Sequence, residues 1–256
     1  MEYRIEKDFL GELKVPINAY YGIHTQRAFE NFKFSKYRFQ REFIRALAIV
    51  KLAAARANYK LNLLSEEIYK AIEKAALEVI EGKFDDQFIL DIFQTGSGTS
   101  TNMNMNEVIA SRANEILGGK RGDKKPVHPN DHVNKCQSTN DVIPTAIHIA
   151  ALEMVYNKLL PSMETLLKTL KIKSEEYRDA VRAARTHLQD AVPVTLGQNF
   201  SAYASMIEHD IEEVKKASER LRELALGGTA AGTGINAHPK YAELAIEEIS
   251  NITGIK

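Results

Sequence analysis

The chain has 256 residues, 44% of them hydrophobic, enough to bury a core in one large domain or two small ones. Lysine plus arginine balances aspartate plus glutamate at 34 each, so nothing indicates nucleic acid or another polyanion as a partner. Cys136 is the only cysteine and excludes an intrachain disulfide; the charged opening MEYRIEKDFLG and the lack of any bilayer-length apolar run point to a cytoplasmic protein with no membrane partner.

Residues 1–40 read as irregular, with Val15-Pro16 and the pair Tyr20-Tyr21 before Gly22. Residues 41–60 predict a helix, because strong helix formers carry an apolar stripe at Phe43, Leu47, Val50, Ala54 and Ala57. A second helix is predicted over 65–81, with Ser65 as N-cap and Glu66 and Glu67 in the first turn. Residues 95–106 are almost entirely Gly, Ser, Thr and Asn and read as a polar loop, followed by a third helix over 106–117. Residues 118–132 carry the glycines and prolines of another loop.

From 141 to 184 only Pro144 and Pro161 interrupt helical sequence, and Pro161 is expected to kink a helix or separate two. Residues 196–226 keep Leu196, Phe200, Tyr203, Ile207, Ile211, Val214, Leu221 and Leu224 on one seam, which predicts a long helix. The expected fold is mainly α: a mostly helical N-terminal domain over 1–137, then the start of a long-helix bundle over 138–256. Helices that long favour partners from other subunits; a self-contained monomeric bundle is the alternative.

Three polar clusters do not look like packing elements: residues 95–106, 128–141 and 185–193. Each is expected beside a helix boundary, where free N–H groups and the helix dipole favour anions. Short hydroxyl and carboxamide side chains can donate to a carboxylate, and glycine permits close approach. Plainer roles stand beside these. Residues 138–141 would serve equally as a helix cap, His187 at a helix end as a structural histidine, and His128 with Asp131 as a turn. No zinc-ligand spacing, dinucleotide or phosphate loop, or serine-hydrolase elbow is present.

Taken together, QTGSGTSTNMNMNEV (94–108), VHPNDHVN (127–134), QSTND (137–141), RTHLQDAVPVTLGQ (185–198) and GGTAAGTGINAHP (227–239) closely resemble the fumarase/aspartase superfamily. The similarity extends back through RIEKDFLGELKVP and YYGIHTQRAFENF. Ser97 in TGSGT, where aspartases tend to carry alanine, leans towards class II fumarases, as do PVHPNDHVN and GGTA. Thr139 in QSTND, where fumarases usually carry serine, leans towards aspartate ammonia-lyases, as do KDFLG and AYYGIHT. Thr139 keeps a hydroxyl, whereas alanine at 97 would lose one, so fumarase is the expected member and aspartase the alternative. A non-catalytic helical scaffold is a third reading.

The resemblance implies removal of a carbon-3 proton from a C4 dicarboxylate such as malate. An aci-carboxylate intermediate is stabilised by prearranged donors, and fumarate forms without a cofactor or metal. By the same resemblance Ser97, Thr99, Ser138, Thr139, Asn140 and Thr186 are expected to bind substrate, and His187 to act on the hydroxyl side through water. His128, Pro129, Asn130 and Asp131 match a second dicarboxylate site. The family forms homotetramers whose active sites draw on several subunits. Its mobile Gly-Ser-Ser loop, which carries the proton-abstracting serine, has no counterpart in this sequence. The chain is therefore expected to be an N-terminal portion, inactive alone.

Overall fold

Residues 3–16 build a β-hairpin where the sequence suggested no regular element. In the computed structural model, which describes residues 2–255, β1 (Tyr3–Asp8) pairs antiparallel with β2 (Gly11–Pro16), from Tyr3 opposite Pro16 to Asp8 opposite Gly11. Charged residues alternate with few apolar ones, so the strand period is faint; Glu6 and Val15 are the inward-facing positions.

Helix α1 (Ile23–Asn31) also lies within the segment read as irregular. No residue of its own caps it. The Glu107 carboxylate instead accepts from the backbone N–H of Gly22, His24 and Thr25 at 2.9–3.0 Å and from the Thr25 hydroxyl at 2.6 Å. Glu6 accepts from Ile23 N at 2.9 Å. Two buried carboxylates thus sit on the positive end of one helix, where the dipole favours them. Gly22 has to be glycine for this approach, since a Cβ there would lie 2.8 Å from a Glu107 carboxylate oxygen.

Helix α2 (Arg41–Lys60) forms where predicted, but it is buried on nearly all sides rather than along one stripe. Its alanines allow α3 (Glu66–Ile80) and α8 (Tyr241–Thr253) to pack closely on it. Ion pairs finish those seams: Arg56 meets Glu73 at 2.8 Å and Glu248 at 3.2 Å, and Lys60 meets Glu248 at 2.7 Å. Ser65 caps α3 as read, accepting from Ile68 N.

The segment read as a polar loop is mostly helix. Helix α4 (Thr99–Ile116) starts seven residues before the predicted third helix, and Ser100, Thr101, Asn102, Asn104 and Asn106 are buried within it. These residues are poor helix formers in isolation, but tertiary partners outweigh propensity. Asn104 donates to the Gln87 carbonyl at 3.1 Å, and Asn114 donates to the carbonyls of Asp123 and Val127.

Helix α5 (Thr139–Met154) leads through a π-helical turn, Val155–Leu159, into α6 (Leu160–Glu176). Pro161 follows that π-helical turn, and Leu159 and Leu160 keep right-handed helical angles, so the backbone stays helical through the junction and changes its winding there instead of separating into two helices. The helical reading of residues 177–184 is wrong. β3 (Val181–Thr186) and β4 (Gln189–Thr195) form a second antiparallel hairpin there, with Thr186 opposite Gln189. β-Branched residues at both ends and a Pro on the second strand supply the strand and edge character.

Helix α7 (Leu196–Ser218) begins at a capping box. Gln198 N donates to Thr195 Oγ1 at 3.1 Å, and Thr195 N donates to Gln198 Oε1 at 3.0 Å. It ends at Ser218, and a short 3-10 turn (Glu219–Arg222) replaces the rest of the predicted long helix. The fold is mainly α, with eight α-helices and two hairpins among the described residues.

The chain divides into two compact units. One comprises residues 2–150 and 223–255, with its core around α2; the other, residues 151–222, is α6 packed on α7 with the β3–β4 hairpin. Among the described residues no helix is long and apolar enough to cross a membrane.

Candidate functional site

The N-termini of α4 and α5 are neighbours in the larger unit. Gly98 ends the approach to α4 with a left-handed φ of +79°, and a Cβ there would lie 3.0 Å from Ile143 of α5. Thr95 O accepts from Gly98 N, closing a tight turn, and no side chain caps α4. Ser97 Oγ and Thr99 Oγ1 lie 2.9 Å apart beside those uncapped N–H groups. Two hydroxyls and a helix N-terminus then face the same region, an arrangement suited to a carboxylate.

At α5 the plainer capping role holds as well. Ser138 Oγ accepts from Asn140 N at 3.2 Å, and Asp141 Oδ1 accepts from Ser138 N at 3.0 Å. Buried Asp141 does more than cap. Its other oxygen accepts from Gly227 N at 3.1 Å and Thr229 N at 2.9 Å, and Asn140 Nδ2 donates to Ala230 O at 2.9 Å. The GGTAAGTG segment is thereby folded over the start of α5. Between it and residues 130–139 lies an open cavity of about 850 Å³, lined by Asn130, Asp131, Gln137, Ser138, Thr139, Thr229 and Thr233 among others.

Beneath this cavity sits a lysine that the polar motifs did not point to. Lys51 of α2 is fully buried and donates at 2.9 Å to both Asn134 Oδ1 and Gln137 Oε1. Burial pulls its pKa down to about 7, and the Asp141 carboxylate pulls in the opposite direction. Asn102 of α4 donates to Thr139 Oγ1 at 3.0 Å and to Asn134 Oδ1 at 3.3 Å, which ties α4, α5 and the intervening loop together. The one sequence signal for Lys51 is a charge in the middle of an otherwise apolar helical run; nothing comparable singles out Asn102.

His128 to Asp131 form a tight turn. His128 Nδ1 accepts from Asn130 N at 3.3 Å and Asp131 N at 3.2 Å, and lies 3.3 Å from Asp131 Oδ2. Pro129 opens the π-helical turn Pro129–Val133 and is buried, whereas Asn130 and Asp131 are exposed. Asn130 and Asp131 border the cavity of the Ser138 region. His128, Pro129 and Asn130 also line a second one of about 650 Å³, with Lys7, Phe9, His24 and Lys124. His132 Nδ1 accepts from His128 N at 2.8 Å, and burial lowers its pKa.

Thr186 and His187 belong to the smaller unit. They are not at a helix end, as expected, but at the tip of the β3–β4 hairpin: His187 and Leu188 take φ of +50° and +63° to make the two-residue turn. Both Thr186 and His187 are exposed. The structure thus brings Ser97 and Thr99 beside the α5 segment that carries Ser138, Thr139 and Asn140, and places Thr186 and His187 in the other unit.

The sequence matches the family described as Lyase over residues 11–256. A class II fumarate hydratase from Halobacterium salinarum is 54% identical over 254 residues, 99% of this chain and 54% of the relative. Among solved structures, fumarate lyase:delta crystallin from Brucella melitensis is 48% identical with a TM-score of 0.95, covering 99% of this chain and 55% of its own. Class II fumarase from Schistosoma mansoni is 40% identical, also with a TM-score of 0.95, covering 99% and 53%. The chain spans about half the length of the relatives it matches. By sequence and by fold, then, the chain belongs to the lyase family, with class II fumarate hydratases among its relatives.

Proposed function

We propose that the complete protein is a class II fumarate hydratase that reversibly removes water from L-malate to give fumarate. The observation that carries this reading is the pair of adjoining helix N-termini that present Ser97, Thr99, Ser138, Thr139 and Asn140. Class II fumarate hydratases that are 53–54% identical over the 253–254 aligned residues support it. Neutral donors at helix N-termini hold one substrate carboxylate and stabilise the extra negative charge of the aci-carboxylate that follows loss of the carbon-3 proton. Because that charge is greatest at the transition state, these groups act on turnover more than on ground-state binding.

Thr186 and His187 are proposed to meet the substrate from the hairpin, with His187 moving the proton of the departing hydroxyl through water. His128, Pro129, Asn130 and Asp131 are proposed to hold a second dicarboxylate away from the chemistry. The site of the complete protein is proposed to be assembled in a cytoplasmic homotetramer, with residues 138–256 opening its central bundle. No base for the carbon-3 proton is assigned within this chain.

The test is fumarate formation from L-malate by the complete protein, followed by ultraviolet absorbance. Turnover of L-aspartate with none of malate would replace this reading with aspartate ammonia-lyase. Neither activity, with no calorimetric binding of a C4 dicarboxylate, would leave a non-catalytic scaffold.

A further inference from the structure

The proposed donors do not stand free; one of them is oriented from behind. Thr139 Oγ1 accepts from Asn102 Nδ2 at 3.0 Å, which occupies one of its lone pairs and turns the O–H away from Asn102. Thr139 is the first residue of α5, so no preceding helical turn offers the back-bond that takes the proton of a threonine inside a helix, and no acceptor for its hydroxyl is present among the described residues. The Thr139 proton is left to point into the cavity that the residue lines.

Asn102 is itself held. It is buried in α4, and its Nδ2 also donates to Asn134 Oδ1, which accepts from Lys51 Nζ at 2.9 Å. Asn134 Oδ1 thus accepts from both Lys51 and Asn102, while its own Nδ2 donates to Gln137 O at 3.4 Å. That leaves Asn102 presenting its NH2 group to both neighbours. The same order of donors and acceptors runs from the buried Lys51 Nζ outward.

We infer that Asn102 is a positioning residue that, anchored by Asn134 and Lys51, holds the Thr139 hydroxyl as a hydrogen-bond donor to the dicarboxylate. The inference rests on the proposed substrate role of Thr139. It assigns to buried Asn102 and Lys51, with half-buried Asn134 between them, the task of keeping the proton of that hydroxyl turned towards the cavity.

A double-mutant cycle in the complete, assembled enzyme tests it. KM and kcat for L-malate are measured for Asn102→Ala, Thr139→Ala and the double variant, with circular dichroism to confirm folding. Asn102→Ala should lower kcat/KM about tenfold, the worth of one hydrogen bond to a charged group, and by less than about twofold once Thr139 is alanine. Thr139→Ser, which keeps the hydroxyl, should restore the dependence on Asn102. Equal losses from Asn102→Ala in both backgrounds would overturn the positioning role while leaving Thr139 as a substrate donor. No loss from Thr139→Ala alone would instead remove Thr139 from the site, and the inference with it. If Asn102→Ala does not fold, Asn102→Leu, close in shape, takes its place in the same cycle.

Discussion

The two regions proposed to meet the substrate are built in opposite ways. At the start of α5 nearly every polar atom has a partner from elsewhere in the same unit: Asn102 from α4, Lys51 from α2, and the backbone of residues 227–230. The β3–β4 tip, by contrast, carries Thr186, His187 and Leu188 exposed, and its cross-strand ion pair, Arg185 with Asp190 at 3.5 Å, is itself at the surface. A donor array that must match developing charge gains from being fixed before substrate arrives. The histidine at the tip has its backbone set by the turn and its ring by nothing in its own unit. Geometry is therefore intrinsic to the first region and, in the proposed assembly, conferred on the second.

Changes in folding stability should separate the regions, and the largest belongs to the first. Asp141→Ala removes the acceptor for Ser138, Gly227 and Thr229 N–H groups and leaves buried donors unpaired. A loss of about 3 kcal/mol in urea unfolding is expected. A loss below about 1 kcal/mol would mean that the 227–230 segment holds itself in place. Gly98→Ala comes next. It places a Cβ at a left-handed φ and 3.0 Å from Ile143, and a loss of about 2 kcal/mol is expected by the same measurement.

Lys51 gives a smaller, pH-dependent effect. Its folded pKa of about 7 lies below the ordinary lysine value of 10.5, so between those limits the unfolded chain binds more protons than the folded one. Stability contributed at this position therefore rises as pH climbs from about 7 towards 10.5. Wild type measured against Lys51→Met should gain, by at most about 1.4 kcal/mol per pH unit across that window. A difference independent of pH would show that the ammonium stays charged throughout.

The smallest change in stability belongs to the hairpin. His187→Asn, at an exposed turn, should shift unfolding by less than about 0.5 kcal/mol and leave assembly intact, because asparagine tolerates a left-handed φ. Turnover of L-malate in the complete enzyme should nevertheless fall about 100-fold or more, the usual scale for a group that transfers a proton. Parallel losses of stability and turnover would make His187 a structural residue and erase the contrast between the regions.

The helical class, α2 and α3 with its Ser65 cap were legible, because apolar period and capping residues act locally. The polar motifs were legible as a set, through family resemblance. The run 95–106 misled because it lacks helix propensity, yet buried partners make most of it the first turns of α4. The hairpin at 181–195 was hidden by a helical composition upstream and by strands whose faces are exposed on both sides, so no alternation marks them.

The sequence by itself determined which residues are short, neutral donors and that residues 138–141 lie at a helix start, since residue chemistry and capping preference travel with the chain. Only the tertiary structure decided that α4 and α5 begin side by side, that Asp141 draws residues 227–230 over them, and that Lys51 and Asn102 stand behind Thr139. Those contacts join positions up to 88 residues apart. Their physical cause is the need of each buried polar group for a partner, and the identity of that partner is set by which helices the packed core brings together.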